Sequence, residues 1–335
     1  MADTSSNSIW IDANCYDGFE LSRPQLFREE TRDLFFKYFR IKPTDNVLDA
    51  GCGPGVLTRF IAKGLTDGII TGFDISKNFV DYGNKRINEE NLSANAKIVL
   101  DDGFALSFPD DTFDAVVNHN YLSVLSDPAA GLRELIRVCK PGGNISVSTG
   151  TSASTGTGLP GSHYWGGEYP LDGIERLKEL THKYNEILKK VITTSSLKQS
   201  HEWPSGRFPK LFSVCGLTNI SIMPVGAAFA YNDNYWSDDY RIKKITLDIN
   251  DEIRMITENN QDPKFSENGF SNTDCEELVA LLKQKQNYLL KNYRTDDSWE
   301  WSAGLSCIVT GTKPFVDKYF LSSSKEYYYK KDVIL

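Results

Sequence analysis

The stretch VLDAGCGPG, residues 47–55, sets one acid and three glycines in a pattern suited to holding a ligand. Asp49 stands two positions before Gly51, and Gly53 and Gly55 follow at alternate positions. An apolar run enters these glycines and a helix-like run, VLTRFIAKGL, leaves them. Glycines at such a turn let the backbone bend tightly and bring its N–H groups close to a ligand. A second acid, Asp74 in TGFDIS, ends the next apolar run, 25 positions after Asp49. An acid there can accept hydrogen bonds from both hydroxyls of a ribose. Several nucleotide-binding folds share a turn of this kind. The spacing here is GxGxG, not the GxGxxG of dinucleotide sites.

These residues need a scaffold, and the pattern from 46 to 149 supplies one. Short apolar runs at 46–50, 69–74, 97–100, 114–118 and 144–149 alternate with helix-like segments. That alternation predicts an open, mostly parallel sheet. Before it, Leu26, Phe27, Leu34, Phe35, Tyr38 and Phe39 recur at helical spacing over 23–40. After it, 148–162 is rich in Gly, Ser and Thr and reads as a loop. Residues 171–192 predict an amphipathic helix with Ile174, Leu177, Leu180, Tyr184, Ile187, Leu188 and Val191 on one face. A helix over 207–216, a strand over 219–225, helices near 239–258 and 274–292, and a strand over 305–312 follow. The expected division is a cover segment and helix at 1–45, a core at 46–149 and a loop with cap helix at 150–202. The core returns at 203–225, a cap insertion fills 226–302, and 303–335 hold the last strand and tail.

Three further stretches stand in order behind the glycine turn: DDGFALSFPDDTFDAVV (101–117), HNYLSVLSDPAAGLRELIRVCKPGGNISVS (119–148) and FPKLFSVCGLTNISIMPVG (208–226). With the glycine turn, they resemble the class I S-adenosylmethionine-dependent methyltransferases. The resemblance implies a Rossmann-like, seven-stranded, mostly parallel α/β sheet with an antiparallel last strand, to which helical and aromatic cap insertions are added. It implies S-adenosyl-L-methionine as cofactor and S-adenosyl-L-homocysteine as product. Asp49 and the backbone of Gly51, Cys52, Gly53 and Gly55 would then face the methionine part. Asp74 and Ile75 would hold the ribose and one side of the adenine. Asp102, Gly103 and Phe104 would close the adenine pocket, and Asn118 would lie near the sulfonium. No Asn-Pro-Pro-Tyr follows the fourth strand, where the residues are Asn118-His119-Asn120-Tyr121, and no Pro-Cys nucleophile is present. Both departures weigh against nucleobase chemistry.

Candidates on the acceptor side are His119, just past the fourth strand, Tyr16 in the N-terminal segment and His163 in GSHYWGGEY. Phe229, Tyr231, Tyr235, Trp236 and Tyr240 add an aromatic cluster that suits either a substrate wall or cap packing. The 335-residue chain has 37 Lys and Arg against 45 Asp and Glu, a net charge of −8. That balance weighs against nucleic acid as the main partner. No apolar stretch approaches the length of a membrane span, and the N-terminus lacks a secretory pattern. Six scattered cysteines form no CxxC pair, so no metal is expected and the thiols suit a cytoplasmic protein. The YYYKK tail is expected to be solvated or packed in a homodimer. The expectation is therefore methyl transfer to a small organic molecule by in-line displacement. The rivals are a methyltransferase of a peptide, protein or tRNA, and a protein that binds the cofactor without methylating.

Overall fold

Asn46–Ala50 form β1, the strand that leads into the glycine turn. Its apolar residues are buried, as expected for a central parallel strand covered on both faces. In this computed structural model, residues 15–150, 162–164, 169–194, 205–295 and 300–315 are described. The described residues fall into two compact units, one within 1–161, 201–227 and 304–335, the other within 162–200 and 228–303.

In the first unit β1 is flanked by β2 (Ile69–Asp74) and β4 (Phe113–His119), both parallel to it. Outside these lie β3 (Ala96–Leu100) and β5 (Cys139–Gly150). β8 (Trp301–Thr312) then runs antiparallel to β5, and β7 (Thr218–Ala230) pairs with β8. The order is β3-β2-β1-β4-β5-β8, the Rossmann-like arrangement with an antiparallel late strand. These are the seven strands expected, and among the described residues a short β6 (Ser162–Tyr164) pairs with residues 301–303 of β8 as an addition to them. Residues 228–230 of β7 and 301–303 of β8 belong to the second unit.

Register decides where the site lies. Ala50 stands opposite both Phe73 and Asn118, so β1, β2 and β4 end at one level. Gly51, Asp74 and His119 are each the next residue on, and all three emerge at the same sheet edge. Helices enter or leave at that edge. Gly55 caps α3 (Val56–Ala62) with φ +78°, a left-handed conformation that favours glycine. The seven residues of α3 are all buried. Ser76 caps α4 (Lys77–Glu89) through its side chain, and Asp127 does the same for α5 (Pro128–Val138).

The predicted helix over 23–40 is broken. Arg23–Gln25 and Glu29–Thr31 are single 3-10 turns, and only Arg32–Phe39 (α2) is α-helical. Arg28 between them is extended. The break turns Phe27 into the core, where its ring meets Phe35, Phe60 and His119 at 5.2–5.4 Å. A further helix, Tyr16–Ser22, precedes these turns and is called α1. The KPGG segment differs as well: residues 140–143 lie within β5 as an irregularity, because Phe113 pairs with Cys139 and Ala115 with Asn144.

The second unit is helical. Its long helices are α6 (Ile174–Thr194), α8 (Asp238–Asn259) and α10 (Asn272–Asn292). The short α7 (Phe208–Val214) belongs to the first unit, and α9 (Pro263–Glu267) links α8 to α10. Leu177, Leu180, Tyr184, Ile187 and Val191 of α6 join a core with Ile245, Ile249, Leu278, Leu282 and Leu289. The start of α10 is fixed by a capping box between Ser271 and Asp274.

α1 is tied to the first unit by charge. Arg59 of α3 is buried and donates to both carboxylate oxygens of Glu20 at 2.7 and 2.8 Å. It also meets Glu90 at 2.8 Å and donates to Pro54 O. Removing the buried guanidinium leaves Glu20 without its closest partner, while Glu90 keeps Lys63 at 2.6 Å. Arg59→Ala is therefore expected to cost about 3 kcal/mol in urea unfolding of the full chain. A loss below about 1 kcal/mol, the scale of a surface pair, would show that the clamp is not needed.

Candidate functional site

The glycine turn is held from two sides. Asp74 Oδ2 accepts from Gly53 N at 2.8 Å, and Oδ1 accepts from Ser76 N at 2.9 Å. Phe73 O accepts from Cys52 N at 2.9 Å. The end of β2 thus fixes the turn after β1 and the start of α4 together. Burial raises the Asp74 carboxyl above its usual range, while the backbone N–H groups of Ser76, Gly53 and Ile75 pull it back. Ile75 itself is half-buried beside it.

Asp49 is deeper, at 1% exposure. Its Oδ2 accepts from Thr58 Oγ1 at 2.7 Å, whereas Oδ1 is buried with no protein partner. Desolvation raises its pKa to about 7, opposed by the Thr58 hydrogen bond and reinforced by the charge of Asp74. Cys52 lies between the two acids. Burial first, then the charges of Asp49 and Asp74, push its thiol well up and keep it protonated. Gly72, opposite Asp49 in the sheet, makes room for this cluster. A Cβ there would come within 2.8 Å of Cys52 Sγ and 2.9 Å of Thr58 Oγ1.

At the end of β3 the two neighbouring acids have different tasks. Asp101 accepts from Asp102 N, Ser107 N and Ser107 Oγ, so its carboxylate is occupied in shaping its own turn. Asp102 accepts from Phe104 N at 3.0 Å and is otherwise exposed. Gly103 is buried beneath Tyr121, and Phe104 is half-buried. At the end of β4, Asn118 is fully buried. Its Nδ2 donates to Ser146 O at 3.0 Å, and its Oδ1 has no protein partner.

His119 is packed edge-on by Phe27. Its Nε2 faces Asn120 Nδ2 at 3.3 Å and its Nδ1 faces Ser148 Oγ at 3.3 Å. An amide nitrogen only donates, so Nε2 accepts and Nδ1 carries the proton. Burial and the charge of Arg23 hold the imidazole pKa well below its usual value, which makes the ring neutral. Tyr16, on α1, stacks on Tyr82 at 4.4 Å and meets Phe79 edge-on. From the same helix it is Phe19 that approaches the glycine turn, 3.9 Å from where a Cβ of Gly53 would stand. The backbone of His163 pairs with Ser302, and its side chain lies outside the described residues.

Tyr121 was not singled out from sequence. Its ring lies 2.2 Å from a Cβ built on Gly51, and its hydroxyl 1.7 Å from one built on Gly103. It meets Phe73 edge-on at 5.7 Å. The hydroxyl is buried without a partner, and burial, then the charges of Asp102 and Asp74, raise its pKa far above the usual value. The signal in the sequence was a pairing: a bulky aromatic in NHNYL with glycine directly after Asp102. Phe19, Gly72 and Thr58 carried no signal beyond ordinary packing residues.

The ordered strand ends, the glycine turn and the acid that ends β2 are joined by a match to a known family. Residues 47–143 match the family described as a methyltransferase domain. This segment is a class I methyltransferase domain. An uncharacterized methyltransferase of Schizosaccharomyces pombe is 39% identical over 110 residues, which cover 31% of this chain and 40% of that protein. A demethylmenaquinone methyltransferase of Corynebacterium kroppenstedtii is 37% identical over 122 residues, 36% of this chain and 47% of that protein. The matches thus span less than half the length of either relative. A crystal structure of a SAM-dependent methyltransferase from Aquifex aeolicus aligns with a TM-score of 0.36 at 25% identity, over 45% of this chain and 74% of that one. Among the described residues, no group of three metal-ligating side chains occurs and no helix is long and apolar enough to cross a membrane.

Within the methyltransferase domain, Gly103 and Tyr121 are matched in size. Gly103→Ala is expected to destabilise the chain by about 1–3 kcal/mol, the cost of overpacking a filled site. Adding Tyr121→Phe removes the oxygen nearest the new methyl and should recover part of that loss. Urea unfolding of both single variants and the double variant measures the coupling. Strictly additive losses would place the clash elsewhere.

Proposed function

We propose that the chain is an S-adenosylmethionine-dependent methyltransferase that acts on a small organic molecule. The observation that carries this reading is the set of buried, unpartnered acceptors at the sheet edge, Asp49 Oδ1 and Asn118 Oδ1, beside the glycine turn. The cofactor has an ammonium group, ribose hydroxyls and an adenine amino group, and the residues present fit that set. Asp49 would receive the ammonium group. The remaining lone pairs of Asp74 would take ribose hydroxyls while its N–H contacts keep the turn in shape. Asp102 would accept from the adenine amino group.

The bound group supplies a methyl already activated by a positively charged sulfur. The protein's part is alignment and exclusion of water. Phe19 and Phe27 make the edge apolar, and Asn118 and Ser148 fix its polar contacts. His119, neutral and bound through Nε2 to Asn120, orients the acceptor by shape and dipole; a proton acceptor would need that nitrogen released. The acidic balance of the chain, −8 overall, favours a small acceptor over a nucleic acid.

The Asp49 carboxyl gives this reading a pH test. Its pKa is raised to about 7, so the protonated form dominates below that pH and the anion above it. Only the anion attracts an ammonium group. Calorimetric titration with S-adenosylhomocysteine is expected to show affinity rising as pH increases from 6 to 8, with the slope lost in Asp49→Asn. No binding at any pH in this range would overturn the proposal. A flat profile in the unsubstituted protein would remove Asp49 from the ammonium site. The acid also sets a stability trend. A raised folded pKa favours the folded state at low pH, and this contribution is lost as pH climbs from about 4 to about 7. The thermal midpoint should therefore fall less with rising pH in Asp49→Asn than in the parent chain.

A second measurement addresses Asp74. Asp74→Ala removes the acceptor for Gly53 N and Ser76 N as well as the ribose contact. The dissociation constant for S-adenosylhomocysteine should weaken by about 1–3 kcal/mol, the scale of charge-assisted hydrogen bonds. An unchanged constant by the same calorimetry would sink the ribose assignment.

A further inference from the structure

Arg23 is a charged side chain at the functional edge of the first unit that the fold does not use. It caps the end of α1 and opens the 3-10 turn that follows, where its carbonyl accepts from Leu26 N and Phe27 N at 3.0 Å. That turn ties Arg23 to Phe27, which packs edge-on against His119. The guanidinium lies over the ring of Phe19, with Cζ 5.2 Å from the ring centroid. Phe19 in turn approaches Gly53 of the glycine turn. The charge is therefore set between the cover of the glycine turn and the histidine that ends β4, where an acceptor would meet the methyl group.

What Arg23 lacks is a partner. Among the described residues its side chain makes no hydrogen bond and no ion pair, only the contact with Phe19. Two acids near it in sequence are engaged elsewhere: Glu20 is held by Arg59, and Glu29 stands 3.5 Å from Arg32. Yet the side chain is half-buried. Burial lowers its pKa and no described acid raises it, although a guanidinium stays charged in a protein. Its charge reaches His119, where it helps to keep the imidazole neutral. A half-buried cation without a counter-ion costs free energy that an apolar side chain would not. Two other arginines of this unit show the contrast. Arg59 is clamped by Glu20 and Glu90, and Arg137 by Glu134 and Asp110. Such a cost persists where the missing partner arrives with a ligand.

We propose that Arg23 anchors a carboxylate of the acceptor through charge-assisted hydrogen bonds from its guanidinium. One guanidinium matches one carboxylate in charge and in planar shape, whereas a phosphate carries more charge than it can meet. His119, being neutral, adds no second cation. The inference names the substrate class of the proposed methyl transfer and so rests on that reading. Its test contains no S-adenosyl compound, so its failure and a failure of cofactor binding are seen in separate experiments.

Benzoate, benzamide and phenylphosphonate share one ring, which suits the apolar side chains of Phe19 and Phe27, and differ in charge. Each is titrated into the full chain and followed by ligand-observed magnetic resonance, up to about 10 mM, where even a millimolar site fills. Benzoate is expected to saturate at least about tenfold more tightly than benzamide, and no more weakly than phenylphosphonate. Arg23→Gln removes the charge and should weaken benzoate about tenfold. Arg23→Lys keeps the charge without the planar fork and should recover part of that loss. Lys85→Gln, at an exposed position of α4, should leave the constant unchanged. The urea midpoint of Arg23→Gln should match that of the parent chain, since no ion pair is lost. The proposal falls if benzoate does not saturate, if benzamide binds as tightly, or if Arg23→Gln keeps the parent's affinity for benzoate. It also falls if Lys85→Gln weakens benzoate as much as Arg23→Gln does. Phenylphosphonate binding about tenfold more tightly than benzoate would overturn the carboxylate in favour of a phosphate. A drop in urea midpoint as large as that of Arg59→Ala would make Arg23 a structural residue instead.

Discussion

One carboxylate holds the functional edge of the first unit together. Asp74 ends β2 and accepts from the backbone of Gly53, in the turn after β1, and of Ser76, at the start of α4. Two chain segments that are separate in sequence are thereby fixed to one strand end. The glycines make this geometry reachable, since Gly51, Gly53 and Gly55 all have positive φ. A turn with three left-handed residues would be poorly defined without an acceptor to collect its N–H groups. The cost is a buried acid, and Asp49 adds a second one close by. Burial raises the pKa of both carboxyls, and the charge of Asp74 raises that of Asp49 further.

The rest of the unit supports that edge by size matching. Gly72 yields space to Cys52 and Thr58, Gly103 yields space to the Tyr121 hydroxyl, and Gly55 yields space to Ile98. In each case the small residue sits where a neighbour's side chain needs the volume. The N-terminal helix is joined to the same edge by the Arg59 clamp on Glu20 and by Phe19 over the turn. The second unit uses a different device. Its core is a helix-packed aromatic and aliphatic cluster, and two of its ion pairs, Lys244 with Asp248 and Lys285 with Glu300, line a cavity.

Much of the sheet was legible because period and punctuation agreed. The runs at 46–50 and 69–74 coincide with β1 and β2, and the helical face of α6 was written in full from Leu177 to Val191. The break at Arg28 was not legible, because Phe27 and Phe35 fit a continuous helix as well as they fit a broken one. What decides between them is the position of Phe60 and His119, which are distant in sequence. The site was legible as types at spacings and not as occupancies. Asp101 and Asp102 look alike in the sequence, and only their hydrogen bonds separate a turn-shaping acid from an exposed one. Tyr121 was missed for the same reason: its place depends on two glycines that touch it from different loops. The aromatic cluster of 229–240 likewise divides only in three dimensions. Trp236 and Tyr240 stack in the core, while Phe229 and Tyr231 reach the cavity.

The pairing of β5 with β8 also sets a schedule for biosynthesis. β5 is complete at Gly150, but its antiparallel partner spans Trp301–Thr312. Chain growth at roughly 5–20 residues per second leaves that edge of the sheet without its neighbour for roughly ten to thirty seconds. An unpaired edge is a template for pairing with another nascent chain. The segments that build the second unit emerge during this interval. Ser146 and Thr310, whose hydroxyls meet at 2.7 Å in the finished sheet, mark the moment at which the exposure ends.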